Sequence, residues 1–129
     1  MRILVDTHLL LWATARSRRL SQEARRLLES PRNEVHFSAA SLWEIAIKLG
    51  LRRAAFQVDL ARLRPALSEM GFLELPVTGA HAERLASLPP IHKDPFDRML
   101  VAQSLSEPLV LLTNDEALAE YGEVVRVVS

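Results

Sequence analysis

Short apolar runs alternate along the chain with stretches in which apolar residues recur every three or four positions, the periods of buried strand and amphipathic helix. Arg2–Val5 is an apolar run ended by an acid, which predicts a buried parallel strand whose following residue, Asp6, emerges at the carboxyl edge of a sheet. From Thr7 the positions Leu10, Leu11, Ala13 and Ala15 predict a short helix, and Ser21 caps a second one reaching about Ser30 with Leu27 and Leu28 inward. After the turn formers Pro31-Arg32-Asn33, Val35–Ser38 reads as the second strand. Ser41 and Glu44 form an S-x-x-E capping box that predicts a helix from Leu42 to about Leu49, closed by Gly50.

The second half repeats this alternation. Leu60, Leu63, Leu67 and Met70 lie at helical spacing before Gly71, and Phe72–Leu75 follows as a third strand. Thr78 caps a helix carrying Ala82, Leu85 and Leu88 inward and ended by Pro89-Pro90. Phe96–Ser104 predicts a helix with Met99, Leu100 and Ala102 buried, then Leu109–Leu112 a strand, Thr113-Asn114-Asp115 the entry to a short helix ending at Tyr121, and Val124–Val128 an edge strand. Strands separated by helices imply an α/β fold: three layers, α/β/α, around a central, mostly parallel sheet of four to five strands. Ligands of such sheets bind beyond the carboxyl ends of the strands.

At 129 residues and 49% hydrophobic content the chain can bury one full core, and no repeat or linker divides it, so residues 1–129 are read as one domain. Cysteine is absent, which removes disulfides and cysteine-ligated zinc and fits a reducing cytoplasm. The apolar start before Asp6 is too short for a signal-peptide core, and no run approaches the roughly 18 residues of a membrane span, so no membrane association is expected. Sixteen Lys plus Arg balance sixteen Asp plus Glu, so any nucleic-acid binding must be local. The clusters Arg16, Arg18, Arg19, Arg25, Arg26 and Arg52, Arg53, Arg62, Arg64 are read as solvated faces.

Four acids carry the candidate chemistry. Asp6 and Asp115 each stand at or just beyond the carboxyl end of an apolar strand, while Glu44 and Asp97 are placed in the first turns of helices. Each alone has a capping or helix-dipole explanation. Together they converge where this architecture binds ligands. Gathered carboxylates repel one another, and a hard cation such as Mg²⁺ or Mn²⁺ resolves the repulsion while favouring phosphodiester chemistry.

Four blocks in order, Val5-Asp6-Thr7-His8, Ser41-Leu42-Trp43-Glu44-Ile45-Ala46-Ile47-Lys48, His92-Lys93-Asp94-Pro95-Phe96-Asp97-Arg98 and Leu112-Thr113-Asn114-Asp115, resemble a PIN domain over nearly the whole chain. The likeness is to the VapC-type toxins of bacterial toxin-antitoxin pairs. It implies an Mg²⁺- or Mn²⁺-dependent endoribonuclease cutting tRNA or ribosomal RNA, with Asp6, Glu44, Asp97 and Asp115 as catalytic and metal-holding acids. It also implies a cognate antitoxin protein and a homodimer.

Around that quartet Asp94 is read as a helix cap, while Thr7, Ser41 and Asn114 are candidates to orient a water or an acid. Lys48 and Arg98 are candidates for charge balance or phosphate. Hydrolysis of the PIN type rests on metal-activated water, so His8 and His92 receive no role, and Trp12 and Trp43 are read as core. An aspartyl phosphotransferase wants a second acid two residues after Asp6, where His8 stands, and four glycines supply neither phosphate-loop nor dinucleotide motif. The remaining alternative is a non-catalytic module of the same fold that binds RNA or protein.

Overall fold

The computed structural model describes residues 1–51 and 58–129; Arg52 and Arg53, named above in a basic cluster, lie outside the described residues. Five strands, β1 (Arg2–Val5), β2 (Glu34–Ser38), β3 (Leu73–Leu75), β4 (Val110–Thr113) and β5 (Val125–Val127), form one sheet in the order β3-β2-β1-β4-β5, and every pairing is parallel. The helices are α1 (Thr7–Thr14), α2 (Gln22–Glu29), α3 (Ala39–Gly50), α4 (Leu60–Glu69), α5 (Gly79–Ala86) and α6 (Pro95–Ser106), with a short 3₁₀ helix at Glu116–Tyr121. None of the described helices is long and apolar enough to cross a membrane.

The pleat of β1 divides the core in two. Successive side chains point to opposite faces. Ile3 and Val5 therefore pack with Leu9, Leu10, Leu28, Ile45 and Leu67, drawn from α1 to α4, whereas Leu4 packs with Leu100, Val101, Ala102 and Leu118 on the other side. The neighbouring strand divides the same way, Leu112 with the first group and Leu111 with the second. All of these are buried, and an apolar run covered on both faces is what a central parallel strand requires.

The chain builds outward from β1 through β2 to β3, then returns to the other side of β1 with β4 and β5. The order thus reverses between β1 and β4, and the crevice of a doubly wound sheet opens at that point. A hydrogen bond from Asp6 N to Leu112 O (3.0 Å) ties the ends of the two strands together there.

The predicted strands match those observed within a residue or two. Two helix assignments change. The third helix begins at Ala39, capped by Ser38, whose hydroxyl accepts from Ala40 N at 3.0 Å. Ser41 is not a cap: it lies inside the helix, fully buried, and accepts a hydrogen bond from Thr7 Oγ1 at 2.9 Å. In α5 the inward residue is His81 rather than Ala82, which is exposed. Its ring also completes a capping box with Thr78, accepting from Thr78 N at 3.0 Å. Thr78 and Ser21 cap as predicted.

Candidate functional site

Three of the four acids are delivered by the end of an element, for a local reason. Asp6 ends β1 and caps α1, accepting from Leu9 N at 2.9 Å. Asp115 follows β4 and caps the 3₁₀ helix through Ala117 N at 3.0 Å. Asp97 enters from the first turn of α6, whose cap is Asp94: one Asp94 oxygen accepts from both Phe96 N (2.8 Å) and Asp97 N (3.1 Å). Pro95 opens that helix, where its missing N–H costs nothing. Glu44 projects from the second turn of α3, not the first, because the helix starts earlier than the capping-box pattern suggests.

Asp6, Glu44 and Asp97 share one electrostatic field. Burial first, then the negative charges of Asp94 and Asp6 with a smaller part from Glu44, push the Asp97 carboxyl up to about 7, while His92 works in the opposite direction. Asp6, 4% exposed, is raised chiefly by burial and further by Glu44; hydrogen bonds from Thr113 and Leu9 N and the nearby His8 oppose that rise. Glu44, 5% exposed, holds Lys48 at 2.9 Å through Oε2, while its Oε1 is buried with no hydrogen-bond partner among the described residues. Asp97, Asp115 and His92 place one ligand-type atom each within 4.8 Å of one another.

This donor set fits a divalent cation. Carboxylate oxygens dominate it, one buried oxygen lacks a partner, and the negative charges raise one another's proton affinity as an uncompensated cluster does.

Thr113 is the strut of the site. The last residue of β4, fully buried, donates its hydroxyl to Asp6 Oδ2 and accepts from Asp115 N at 3.1 Å, so one side chain sets two of the acids. Thr113→Val keeps the shape and removes the hydroxyl, leaving a buried carboxylate oxygen and an N–H short of a partner. It is expected to cost about 1–3 kcal/mol in thermal or urea unfolding, with Thr113→Ser restoring most of it.

Several side chains depart from the reading of the sequence. Arg98 is turned away from the acids, its guanidinium reaching the carbonyls of Leu85 (3.5 Å) and Leu88 (3.4 Å) near the end of α5. Trp43 is not core: it is 62% exposed and packs edge-on against Phe96 with ring centroids 5.1 Å apart. With Ala39, Ala40, Val77, Leu85, Pro95 and Met99 these two rings line an apolar cavity of about 420 Å³. Trp12 does pack against the core, and Asn114 is exposed. His92, passed over in the sequence, stands between Asp97 and Asp115. Its sequence signal is its place at the head of the block that holds Asp94 and Asp97, two residues before the Asp94 cap.

The PIN domain family model matches residues 3–124. No curated protein matches the chain. Among solved structures, a toxin-antitoxin complex from Klebsiella pneumoniae is 25% identical, with a TM-score of 0.66 over 97% of this chain and 96% of that one. A VapBC2 complex from Rickettsia felis bound to a promoter DNA fragment is 11% identical, with a TM-score of 0.67 over 99% of this chain and 98% of that one. DNA-bound VapBC from Salmonella typhimurium is 16% identical, with a TM-score of 0.65 over 99% and 97%. These likenesses extend over the sheet and helices that deliver the four acids, and the family match covers every one of those acids. The chain belongs to the PIN domain family.

Proposed function

We propose that this chain is a divalent-cation-dependent endoribonuclease and the toxin of a toxin-antitoxin pair, acting as a single domain in the cytoplasm. The observation that carries the reading is the convergence of Asp6, Glu44, Asp97 and Asp115 near the carboxyl ends of β1 and β4, with Asp97 pushed up to about 7 by burial first and then by its acidic neighbours. The family match and the likeness to the Klebsiella toxin-antitoxin complex support it.

Asp6, Glu44, Asp97 and Asp115 would hold Mg²⁺ or Mn²⁺. Such an ion supplies Lewis-acid polarisation of a phosphodiester and activation of water. The chain's own residues prepare the place. Asp6 is held by Leu9 N and Thr113, and Asp115 by Ala117 N and Thr113, so two carboxylates are oriented before any ligand arrives. Lys48 offsets part of the charge of Glu44 on one oxygen and leaves the other available. The substrate is RNA, with tRNA or ribosomal RNA the targets that the family likeness suggests.

Exposed Trp43 lines the apolar cavity, and Ile47, one helical turn on along α3, is also exposed (42%). A wholly apolar surface suits a protein partner better than phosphate, and it supports association of two copies. A cognate antitoxin is the second partner of this reading.

The test is incubation of antitoxin-free protein with total bacterial RNA in Mg²⁺ or Mn²⁺, mapping new RNA ends. Cleavage at defined positions, lost with EDTA and in Asp6→Asn, is expected. A folded protein that binds RNA without cutting it would instead be the non-catalytic module.

A further inference from the structure

His92 invites a reading as a third ligand beside Asp97 and Asp115. Its Nε2 lies 3.1 Å from Asp115 Oδ2 and 3.8 Å from Asp97 Oδ2. The other ring nitrogen argues against that role. Nδ1 accepts a hydrogen bond from the backbone N–H of Asp94 at 3.1 Å. A backbone N–H can only donate, so Nδ1 must present its lone pair, and the ring proton resides on Nε2. A nitrogen that keeps its proton has no lone pair for a cation. Ligating histidines show the reverse arrangement: the bound nitrogen is bare and the other one donates to a supporting group.

The loop carrying His92 is fastened from a second direction. The His92 backbone N–H donates to the Tyr121 hydroxyl (3.1 Å), which in turn donates to Pro89 O (3.3 Å). The turn that fixes the ring is also the turn that starts α6, since Asp94 accepts from Phe96 N and Asp97 N. One short segment therefore presents the Asp97 carboxylate and aims the imidazole at Asp115. The two oxygens of Asp115 are then engaged separately, Oδ1 by Ala117 N and Oδ2 by His92 Nε2. Each oxygen retains a further lone pair.

We infer that His92 is a positioning residue which fixes the Asp115 carboxylate through its Nε2–H, and not a ligand of the cation. The inference rests on the reading of the four acids as a cation site.

Two measurements test it. Nitrogen-15 NMR of the His92 ring, in metal-free protein and with saturating Mg²⁺, is expected to show a bare Nδ1 and a protonated Nε2 in both. A bare Nε2 in either state would overturn the inference. Calorimetric titration of Mn²⁺ into wild type, His92→Gln and His92→Ala is expected to separate the variants. Glutamine can return an amide N–H to the place of Nε2–H and should bind Mn²⁺ within about threefold of wild type, while alanine weakens binding by roughly 10–100-fold, the range found for groups that orient metal ligands. Equal weakening in both variants would make His92 a ligand. Unchanged Mn²⁺ affinity in His92→Ala, with only a lowered Tm, would make it merely structural. Failure of wild type to bind Mn²⁺ would overturn the cation site itself, an outcome distinct from either pattern among the variants.

Discussion

Asp97→Asn is expected to make the metal-free protein more stable at pH 8 while removing its metal-dependent cleavage of RNA. The folded protein raises the Asp97 carboxyl from 3.8 to about 7, first by burial and then by the charges of Asp94, Asp6 and Glu44. A group whose proton is held more tightly in the folded state lends stability that is complete below its unfolded pKa and is lost as pH rises through the folded one. For Asp97 that window runs from about pH 4 to somewhat above pH 7. At pH 8 the folded chain carries a partly buried anion among other anions, and asparagine removes it. A tenfold change in proton affinity corresponds to about 1.4 kcal/mol, and solvent screens part of the field at a carboxylate that is not fully buried, so the gain should be on the order of 2 kcal/mol. It should fade toward pH 4 and vanish below the unfolded pKa of 3.8, where Asp97 becomes protonated in both states. Thermal unfolding in EDTA between pH 4 and 8 measures this directly. The same substitution removes a carboxylate from the cation site, and cleavage should fall at least about 100-fold, since even the groups that support metal ligands act on that scale.

Asp6 separates the structural from the chemical contribution of an acid. Its carboxylate caps α1 through Leu9 N and receives the Thr113 hydroxyl. Asp6→Asn retains a carbonyl oxygen as acceptor, so the cap survives while the charge is lost. Asp6→Ala loses both and strands a buried hydroxyl. Alanine should therefore cost about 1–3 kcal/mol more than asparagine in urea unfolding, combining a lost cap with an unsatisfied polar group. Both variants should lose cleavage to a similar extent. A difference in activity that tracked the difference in stability would show that Asp6 matters only as a cap.

The sheet was legible because its signal is local: four-residue apolar runs ending in polar residues cannot be satisfied in many ways, and β1 and β4 lie where those runs predict. Three of the acids were legible for the same reason, since Asp6 and Asp115 mark strand ends and Asp97 the start of a helix, whereas Glu44 rests on a capping-box pattern that misplaces the start of α3. What escaped depends on the third dimension. Both Ser38 and Ser41 suit a cap, and the S-x-x-E spacing favours the second. Here β2 passes into α3 without a loop, and Ser41 is occupied by Thr7 from 34 residues away. Trp43 sits at a helical position among apolar neighbours, but the face it occupies is left open by the packing of α3 against α6. Arg98 and His92 lie in one block with Asp97. Only the path of the Pro89–Asp94 loop, pinned by Tyr121, directs the imidazole toward the acids, while the guanidinium turns to the carbonyls of Leu85 and Leu88.

The central claim is that four acids distant in sequence form one cation site, and calorimetric titration of Mn²⁺ into metal-free protein at pH 7 tests it most directly. Binding is predicted with net release of protons, because Asp97 is then partly protonated and must give up its proton to the ion, so the observed heat should vary with the ionisation enthalpy of the buffer. In Asp97→Asn both the proton release and most of the affinity should disappear. Binding that is absent in the folded wild-type protein, or that is unchanged in Asp97→Asn, would contradict the account.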